Sequence, residues 1–438
     1  MINHSVKTQT DILSKLGINN LNNMQIESDV AIQSHDEVII LSPTGTGKTL
    51  AFVLPIINNL DISIKEIQSL IIVPSRELAI QIEQVIRDMG TGFKVNAVYG
   101  GRAGSKDKIN IAHRPAVLIG TPGRVADHLR RKLFHTRSIT TLVLDEFDKS
   151  LEIGFEKEMS NIIQHLPMLK KKVLTSATSS VILPKFLNLR SPFTVNYSRI
   201  EKVENIQIKT ILSSKEDKTD TLMALLNNIG DQNGIVFFNL KESIHEISKM
   251  LFKKSINHST FYGGMDQLER ERALIKFRNS TNNILLSTDL AARGLDIPEI
   301  NFIIHYQIPL REQDFIHRNG RTARMHNHGV AYVIKYTKEK LPLFIGKIPV
   351  VKVDKAQNKR SFHWSTLFIS GGRKDKISKG DIAGLLFKQG KVTQGDLGLI
   401  ELKIDCAFVA IKASIVKDVL SRVNNIKLKK KKIRVSLI

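Results

Sequence analysis

Cysteine is all but missing. Cys406 stands alone in 438 residues, which rules out an intrachain disulfide framework and a thiolate-rich zinc site and fits a reducing compartment. Its simplest role is that of a small buried apolar residue. Long apolar runs are lacking too. The longest obvious one, Leu50 to Ile57, contains Pro55 and falls well short of the ~20 residues that cross a bilayer, and the opening MINHSVKTQTDILSK has no apolar core of a secretion signal. These absences predict a soluble, cytoplasmic protein with no membrane partner. Acid is in deficit: 42 Asp and Glu face 65 Lys and Arg, a net charge of +23. Such an excess points to a polyanionic partner such as nucleic acid, although a solubilising surface gives the same imbalance. The length suits two or three domains, and 42% hydrophobic residues can fill their cores.

The stretch that most narrowly dictates its own chemistry is Ser42 to Thr49, SPTGTGKT. An apolar β-type segment, Glu37 to Leu41, precedes it, and a helical pattern starts at Leu50, which is the setting a phosphate-binding loop requires. Thr44, Gly45, Thr46 and Gly47 form the turn, whose N–H groups and following helix N-terminus make a cradle for polyphosphate. Lys48 then reaches the β- and γ-phosphates, and the Thr49 hydroxyl ligates magnesium. Ser42 stands where the motif usually has its first glycine. The plainer reading is a glycine turn that caps a helix.

From Leu70 to about Tyr197, short β-branched runs alternate with amphipathic stretches: Leu70–Val73, Val117–Ile119, Leu142–Leu144, Val173–Leu174 and Phe193–Val195. The alternation predicts an α/β domain with a parallel sheet covered on both faces. A second series follows, Ile206–Leu212, Ile235–Phe238, Ile284–Leu286, Phe302–Ile304 and Val330–Ile334, so the halves read as repeats of one design. The second half has no phosphate loop, since Phe238–Lys241 contains no glycine. Thr337 to Arg360 lacks periodicity and reads mostly as a connector. Beyond it, strands are expected at Thr366–Ile369 and Ala407–Ile411 and a helix at Ile415–Arg422, in a module with sixteen Lys and Arg against six Asp and Glu. Its run KLKKKKIR, Lys427 to Arg434, reads in isolation as a solvated stretch. The divisions are 1–200, 201–340, a connector 341–361, and 362–438.

Two acids follow the apolar run Leu142–Leu144. At a strand end facing the phosphate loop, Asp145 holds magnesium through its water shell, and Glu146 orients and deprotonates the attacking water; without that loop they would read as a helix cap. In HRNGRTAR, 317 to 324, Arg321 and Arg324 lie three apart on one helix face, able to neutralise charge on the transferring phosphoryl group. The alternative is a basic surface helix.

SPTGTGKT (42–49), PSRELA (74–79), Gly100-Gly101, TPGR (121–124), DEFD (145–148), SAT (176–178), QLER (267–270), STDLAARGLD (287–296) and HRNGRTAR occur in the order found in DEAD-box RNA helicases, and the chain resembles that family over about residues 15 to 335. The resemblance implies two tandem RecA-like parallel-sheet domains that close on ATP and single-stranded RNA. It implies that Gln25 reads adenine, that Asp296 contacts the ribose and that Arg321 and Arg324 are the γ-phosphate fingers. Ser176 and Thr178 would couple the ATP site to RNA through Asp148, with His317 in the same role. Pro74, Arg76, Gly101, Arg102, Thr121, Gly123, Arg124, Gln267, Arg270 and Thr288 would line the RNA path, touching phosphate and sugar, which carry no base sequence. Phe147 replaces the alanine of the family name, a change of packing rather than chemistry. The usual aromatic upstream of Gln25 is absent, and Asn-Asn-Met replaces a proline-containing lead-in.

The tail, TLFISGGRKDKISKGDIAGLL (366–386) with CAFVAIK (406–412), is similar to the small α+β RNA-recognition (RRM-like) module of the bacterial DbpA subfamily. The resemblance implies that Arg373, Lys374 and Lys376 bind RNA, that the target is a 23S ribosomal RNA hairpin in the pre-50S particle, and that the role is ribosome assembly. Phe368 and Phe408 are candidates for base stacking or for the core, depending on strand register. The expected activity is an RNA-stimulated ATPase that opens short duplexes. The rivals are an RNA clamp or chaperone that no longer hydrolyses ATP, and a DNA-directed motor.

Overall fold

Seven short strands make the first sheet: β1 (Glu37–Leu41), β2 (Ser69–Ile72), β3 (Val95–Val98), β4 (Val117–Gly120), β5 (Thr141–Leu144), β6 (Lys171–Ser176) and β7 (Phe193–Asn196). All are parallel, in the spatial order β3-β4-β2-β5-β6-β1-β7. The computed structural model describes residues 7–43, 45–101, 104–177, 183–198, 206–289, 300–322, 329–353 and 363–438. It forms two units, one built on this sheet and one holding everything from the next strand onward.

Central strands of the first sheet are apolar without alternation because both faces are covered. Every residue of β2 and of β4 is buried. Alternate side chains feed separate cores: Val38, Ile40, Ile71 and Val143 pack on one side, and Ile39, Leu70, Ile72, Leu142 and Leu144 on the other. The period-2 geometry of a strand therefore divides one hydrophobic run between two helical layers.

The second unit has a six-stranded parallel sheet: β8 (Ile206–Ser213), β9 (Gly234–Phe238), β10 (Ser259–Phe261), β11 (Ile284–Thr288), β12 (Phe302–His305) and β13 (Gly329–Tyr336). Its order, β10-β11-β9-β12-β13-β8, repeats that of the first sheet without β7. Gly234 pairs with Phe302, and a Cβ at that glycine would lie 2.4 Å from the phenyl ring, so only glycine accommodates the neighbour. The common order also corrects one expectation. The counterpart of the phosphate loop follows β8, at Ser214–Lys218, rather than at Phe238–Lys241. That loop has no glycine either, and Lys218-Thr219 occupies the topological place of Lys48-Thr49. Lys218 Nζ is spent on Ile334 O (3.2 Å) and Glu339 Oε2 (3.4 Å). Beside it a cleft of about 890 Å³ is lined by Thr219, Asn239, Tyr306 and Gln307 among others.

The tail forms an antiparallel sheet of β14 (Trp364–Ile369), β15 (Leu397–Leu402) and β16 (Ala407–Lys412), with β19 (Val435–Leu437) at its edge. Helices Lys379–Lys388 and Val416–Val423 cover one face through Leu367, Ile369, Val409 and Ile411. The run KLKKKKIR is not a bare solvated stretch: it holds the hairpin β17 (Lys427–Leu428) and β18 (Lys431–Lys432). Lys429 Nζ donates to Lys376 O and to Asp381 Oδ2, both at 2.6 Å, and Lys431 Nζ to Asp375 Oδ2 at 2.8 Å. Part of the expected connector is structured as well. Thr210 N donates to Pro349 O (2.8 Å) and Val351 N to Thr210 O (2.9 Å), which lays 349–351 along the outer edge of β8.

The other face of the tail sheet packs on the end of helix Gln267–Arg278. Thr366 Oγ1 accepts from Asn279 Nδ2 (3.1 Å) and pairs with Thr281 Oγ1 (2.7 Å), while Arg278 Nη1 meets Glu401 Oε1 at 2.7 Å. No helix among the described residues is long and apolar enough to cross a membrane. Ile71→Ala, which hollows the centre of the first sheet, lowers the unfolding free energy by about 2–5 kcal/mol; urea unfolding followed by circular dichroism checks it.

Candidate functional site

The phosphate loop leaves β1 and enters helix Lys48–Asn58. Gly45 and Gly47 both take φ of +87°, the left-handed region that side chains resist. Gly47 has a second constraint: a Cβ there would stand 2.4 Å from Gln25 Nε2. Lys48 is buried, with Nζ donating to Ser42 O at 2.5 Å, so its ammonium already lies within the loop. Ser42 Oγ pairs with Thr46 Oγ1 (2.7 Å), which also donates to Pro43 O (2.9 Å). The serine in the first position thus braces the turn. Thr44 lies outside the described residues.

Gln25 sits against this loop. Asn22 and Gln25 form a reciprocal cap for helix Asn23–Ser34, and Gln25 Nε2 then donates to Gly47 O at 3.2 Å. Asn22 Nδ2 donates to Thr46 O at 3.0 Å. The sequence reading missed Asn22; an N-cap asparagine three residues before Gln25 was the available signal.

Asp145 and Glu146 emerge from β5, two strands from β1, with β6 between. The Thr175 hydroxyl on β6 donates to Asp145 Oδ1 and accepts from Glu146 N (3.1 Å). Nothing in the sequence singled out Thr175 except its place one residue before Ser176. Burial, with the charge of Glu146 second, pushes the Asp145 carboxyl up to about 6, while Thr175 and Lys48 act in the opposite direction. Glu146 is held at φ +47°, ψ +48°. A left-handed glutamate costs about 1–3 kcal/mol and persists only where the surroundings impose it. Phe147 is wholly buried in the core under β5, so it changes packing as expected. Both oxygens of buried Asp148 accept no hydrogen bond, and burial raises its pKa. Ser176 ends β6, and its carbonyl accepts from Ser42 N at 3.0 Å, tying this strand end to the phosphate loop. Thr178 lies outside the described residues.

Among the expected RNA contacts of this unit, Arg76 lies across the Gly100-Gly101 turn: a Cβ on Gly101 would be 2.2 Å from Arg76 Nη1. Pro74 precedes helix Arg76–Met89, and Thr121 caps helix Pro122–Arg130. Gly123 faces open space, and Arg124 Nε donates to Asp107 Oδ2 at 2.7 Å. Arg102 is outside the described residues.

In the second unit, Gln267 and Arg270 open helix Gln267–Arg278, and Thr288 ends β11. Arg270 is largely buried, its guanidinium 4.3 Å above the Phe261 ring and bonded to Tyr262 O (3.1 Å). The residue sequence reading passed over is Arg318, which is 1% exposed. It grips Asp289 through Nε (2.6 Å) and Nη2 (2.7 Å), Asn239 Oδ1 (2.8 Å) and Gln307 O (2.7 Å). One guanidinium therefore binds the ends of β9, β11 and β12 to helix Glu312–Asn319, which carries His317 and leads to buried Arg321. Asp289, inside STDLAARGLD, was the signal. Asp296 and Arg324 fall outside the described residues.

In the tail, Gly371 and Gly372 let the chain pass tightly by its own core; a Cβ on Gly372 would meet Ile404 O at 2.5 Å. The turn Arg373–Asp375 that follows leaves Arg373, Lys374 and Lys376 exposed. Of the two roles left open for Phe408, the structure gives the core one. The residue is 4% exposed, 5.6 Å from Phe368, on the sheet face that packs against the second unit's own helix. Its ring offers no face to a base.

A model for the DEAD/DEAH box helicase matches residues 22–183, one for the helicase conserved C-terminal domain residues 217–326, and one for the DbpA RNA binding domain residues 366–437. The eIF4A ATP-dependent RNA helicase of Mycosarcoma maydis is 35% identical over 68% of this chain and 74% of its own. The chain belongs to the DEAD-box ATP-dependent RNA helicases. Within them it is DbpA-like: the ATP-dependent RNA helicase DbpA of Bacillus subtilis is 29% identical over 91% of both chains. Among solved structures, Saccharomyces cerevisiae Dbp5 bound to RNA and ADP BeF3 superposes with a TM-score of 0.69, at 25% identity, over 80% of this chain and 95% of that one.

His305, fully buried with Nδ1 unpartnered, is held neutral: burial and then the Arg318 charge push it down to about 3. The unfolded chain binds this proton below about 6.5, so the group subtracts stability as pH falls from there toward 3, by about 1.4 kcal/mol per unit. Between pH 7 and 5 the urea midpoint of the protein is expected to fall more steeply than that of His305→Asn, which lacks this titrating group.

Proposed function

We propose that this DbpA-like RNA helicase hydrolyses ATP at Lys48, Asp145 and Glu146 and acts on large-subunit ribosomal RNA in the cytoplasm, during ribosome assembly. The observation that carries the hydrolytic reading is Glu146, forced into left-handed backbone at the strand end beside the phosphate loop. Lys48 draws charge from the β- and γ-phosphates, and Glu146 aligns a water and takes its proton as the γ-phosphoryl leaves. Arg321 and Arg324 neutralise the charge that develops there, and Gln25 and Asp296 hold adenine and ribose. The hydroxyl of Thr49 and the carboxylate of Asp145 would hold magnesium, which supplies charge neutralisation across the phosphates. One hydroxyl and one carboxylate, with no larger cluster of acids or histidines among the described residues, suit an ion that keeps its waters and phosphate ligands.

Asp148, whose carboxylate accepts no hydrogen bond and has the Lys149 ammonium at 3.8 Å beside it, couples hydrolysis with Ser176, Thr178 and His317 to RNA held by Pro74, Arg76, Gly101, Arg102, Thr121, Gly123, Arg124, Gln267, Arg270 and Thr288. The working division is 1–200 and 201–340 for the helicase core, 341–361 as connector and 362–438 as the RNA-targeting module. Exposed Arg373, Lys374 and Lys376 support capture of a 23S hairpin in the pre-50S particle by this basic turn instead of by the sheet. The complete hydrolytic set argues against a clamp that has lost turnover.

Glu146→Gln is expected to keep ATP and RNA binding while RNA-stimulated phosphate release falls by about 10²–10⁴-fold; normal release would remove the glutamate from its role. For the target, the full-length protein crosslinked to total RNA is expected to enrich one ribosomal hairpin. A variant with alanine at 373, 374 and 376 is expected to lose that enrichment, and equal recovery from both would refute the assignment.

A further inference from the structure

Asp107 lies on helix Gly104–Ala112 with no solvent exposure. Its Oδ2 accepts from Arg124 Nε at 2.7 Å and from His128 Nε2 at 3.0 Å. Arg124 and His128 are four apart on helix Pro122–Arg130 and so share a face. A carboxylate with no access to water is tolerated only if donors compensate it, and Arg124 and His128 supply two from one face. His128, itself buried, donates from Nε2, because the carboxylate oxygen it faces only accepts.

Arg76 lies across Gly100-Gly101, just before the helix of Asp107, and a Cβ on Gly104 at its start would stand 3.4 Å from Arg124 Nη2. Arg124 keeps 17% of its side-chain surface exposed. An arginine that grips a phosphate normally gives up rotamer freedom on binding; one held in advance at Nε gives up less.

We propose that Asp107 is a positioning residue for RNA, with His128 as its second donor: the buried carboxylate presets the Arg124 guanidinium for a backbone phosphate. The inference rests on the reading of Thr121–Arg124 as part of the RNA path. The step is one of binding alone, so the effect belongs in the RNA dependence of ATP hydrolysis and not in turnover once RNA saturates.

The test is a double-mutant cycle on the full-length protein with Asp107→Asn, Arg124→Gln and the pair, using a single-stranded RNA oligonucleotide. Asp107→Asn keeps the shape of the side chain, and His128→Leu, which removes one donor without touching Arg124, serves as a second probe; thermal unfolding identifies any variant that fails to fold. Asp107→Asn and Arg124→Gln are each expected to raise the half-saturating RNA concentration about tenfold and to lower the salt slope of RNA binding by about one. The double variant is expected to be no worse than either. An effect of Arg124→Gln with none from Asp107→Asn, or effects that multiply in the pair, would overturn the positioning role. No effect of Arg124→Gln itself would instead remove Arg124 from the RNA path, and the proposal with it.

Discussion

Parallel strands release the chain at one common edge, and this constraint organises everything chemical in the first unit. The phosphate loop leaves β1, the Arg76 helix follows β2, Gly100-Gly101 follows β3, Thr121–Arg124 follows β4, Asp145–Asp148 follow β5, and Ser176 ends β6. Six segments far apart in sequence are neighbours because hydrogen-bonded ladders hold their strands about 4.8 Å from one another. What remains is local: each loop needs only to aim its own side chains. Buried hydroxyls and amides do much of this aiming, as Thr175 does for two consecutive acids and Asn22 does for the phosphate loop.

The second unit repeats the strand order with different contents. Where the first has glycines and a lysine inside its loop, the second has Glu216-Asp217-Lys218, whose lysine is paired within the protein. Its strand ends are bound by Arg318, a charge whose burial is repaid by a bidentate carboxylate, an amide and a carbonyl. The two sheets are therefore one scaffold carrying different loops, a glycine turn with a buried lysine in one and a buried arginine that joins strand ends in the other.

Much of this was legible in the sequence, because central strands covered on both faces betray themselves by unbroken apolar runs. In the two parallel sheets the strands left unread, β3 and β10, are each other's counterparts, both at the sheet edge; β15 and β17 to β19 of the tail were unread as well. With four and three residues, Val95-Asn-Ala-Val and Ser259-Thr-Phe, β3 and β10 are too short and too polar to stand out. The phosphate loop and the acid pair were readable because their chemistry fixes residue types at fixed spacings. Arg318, Thr175 and Asp107 were not, since they act through partners 29 or 30 residues away or on another helix, and such pairings exist only after folding. The sequence left Phe408 open between stacking and core for a related reason: strand register puts it on the open face of its own sheet, and a helix from elsewhere in the chain then covers that face.

Helix Gln267–Arg278 does two things at once. Its first turn carries Gln267 and Arg270, and its last turn and the residues just beyond it bond to the tail sheet through Arg278, Asn279 and Thr281. Twelve residues at 1.5 Å each make a rod of ~18 Å, stiff on the scale of any bending that ordinary thermal forces impose. Anything anchored to the tail is in this way anchored to the helix start as well, with no slack chain between them. A load on one end of the rod arrives at the other as displacement, so the tail works as a handle and not as a leash.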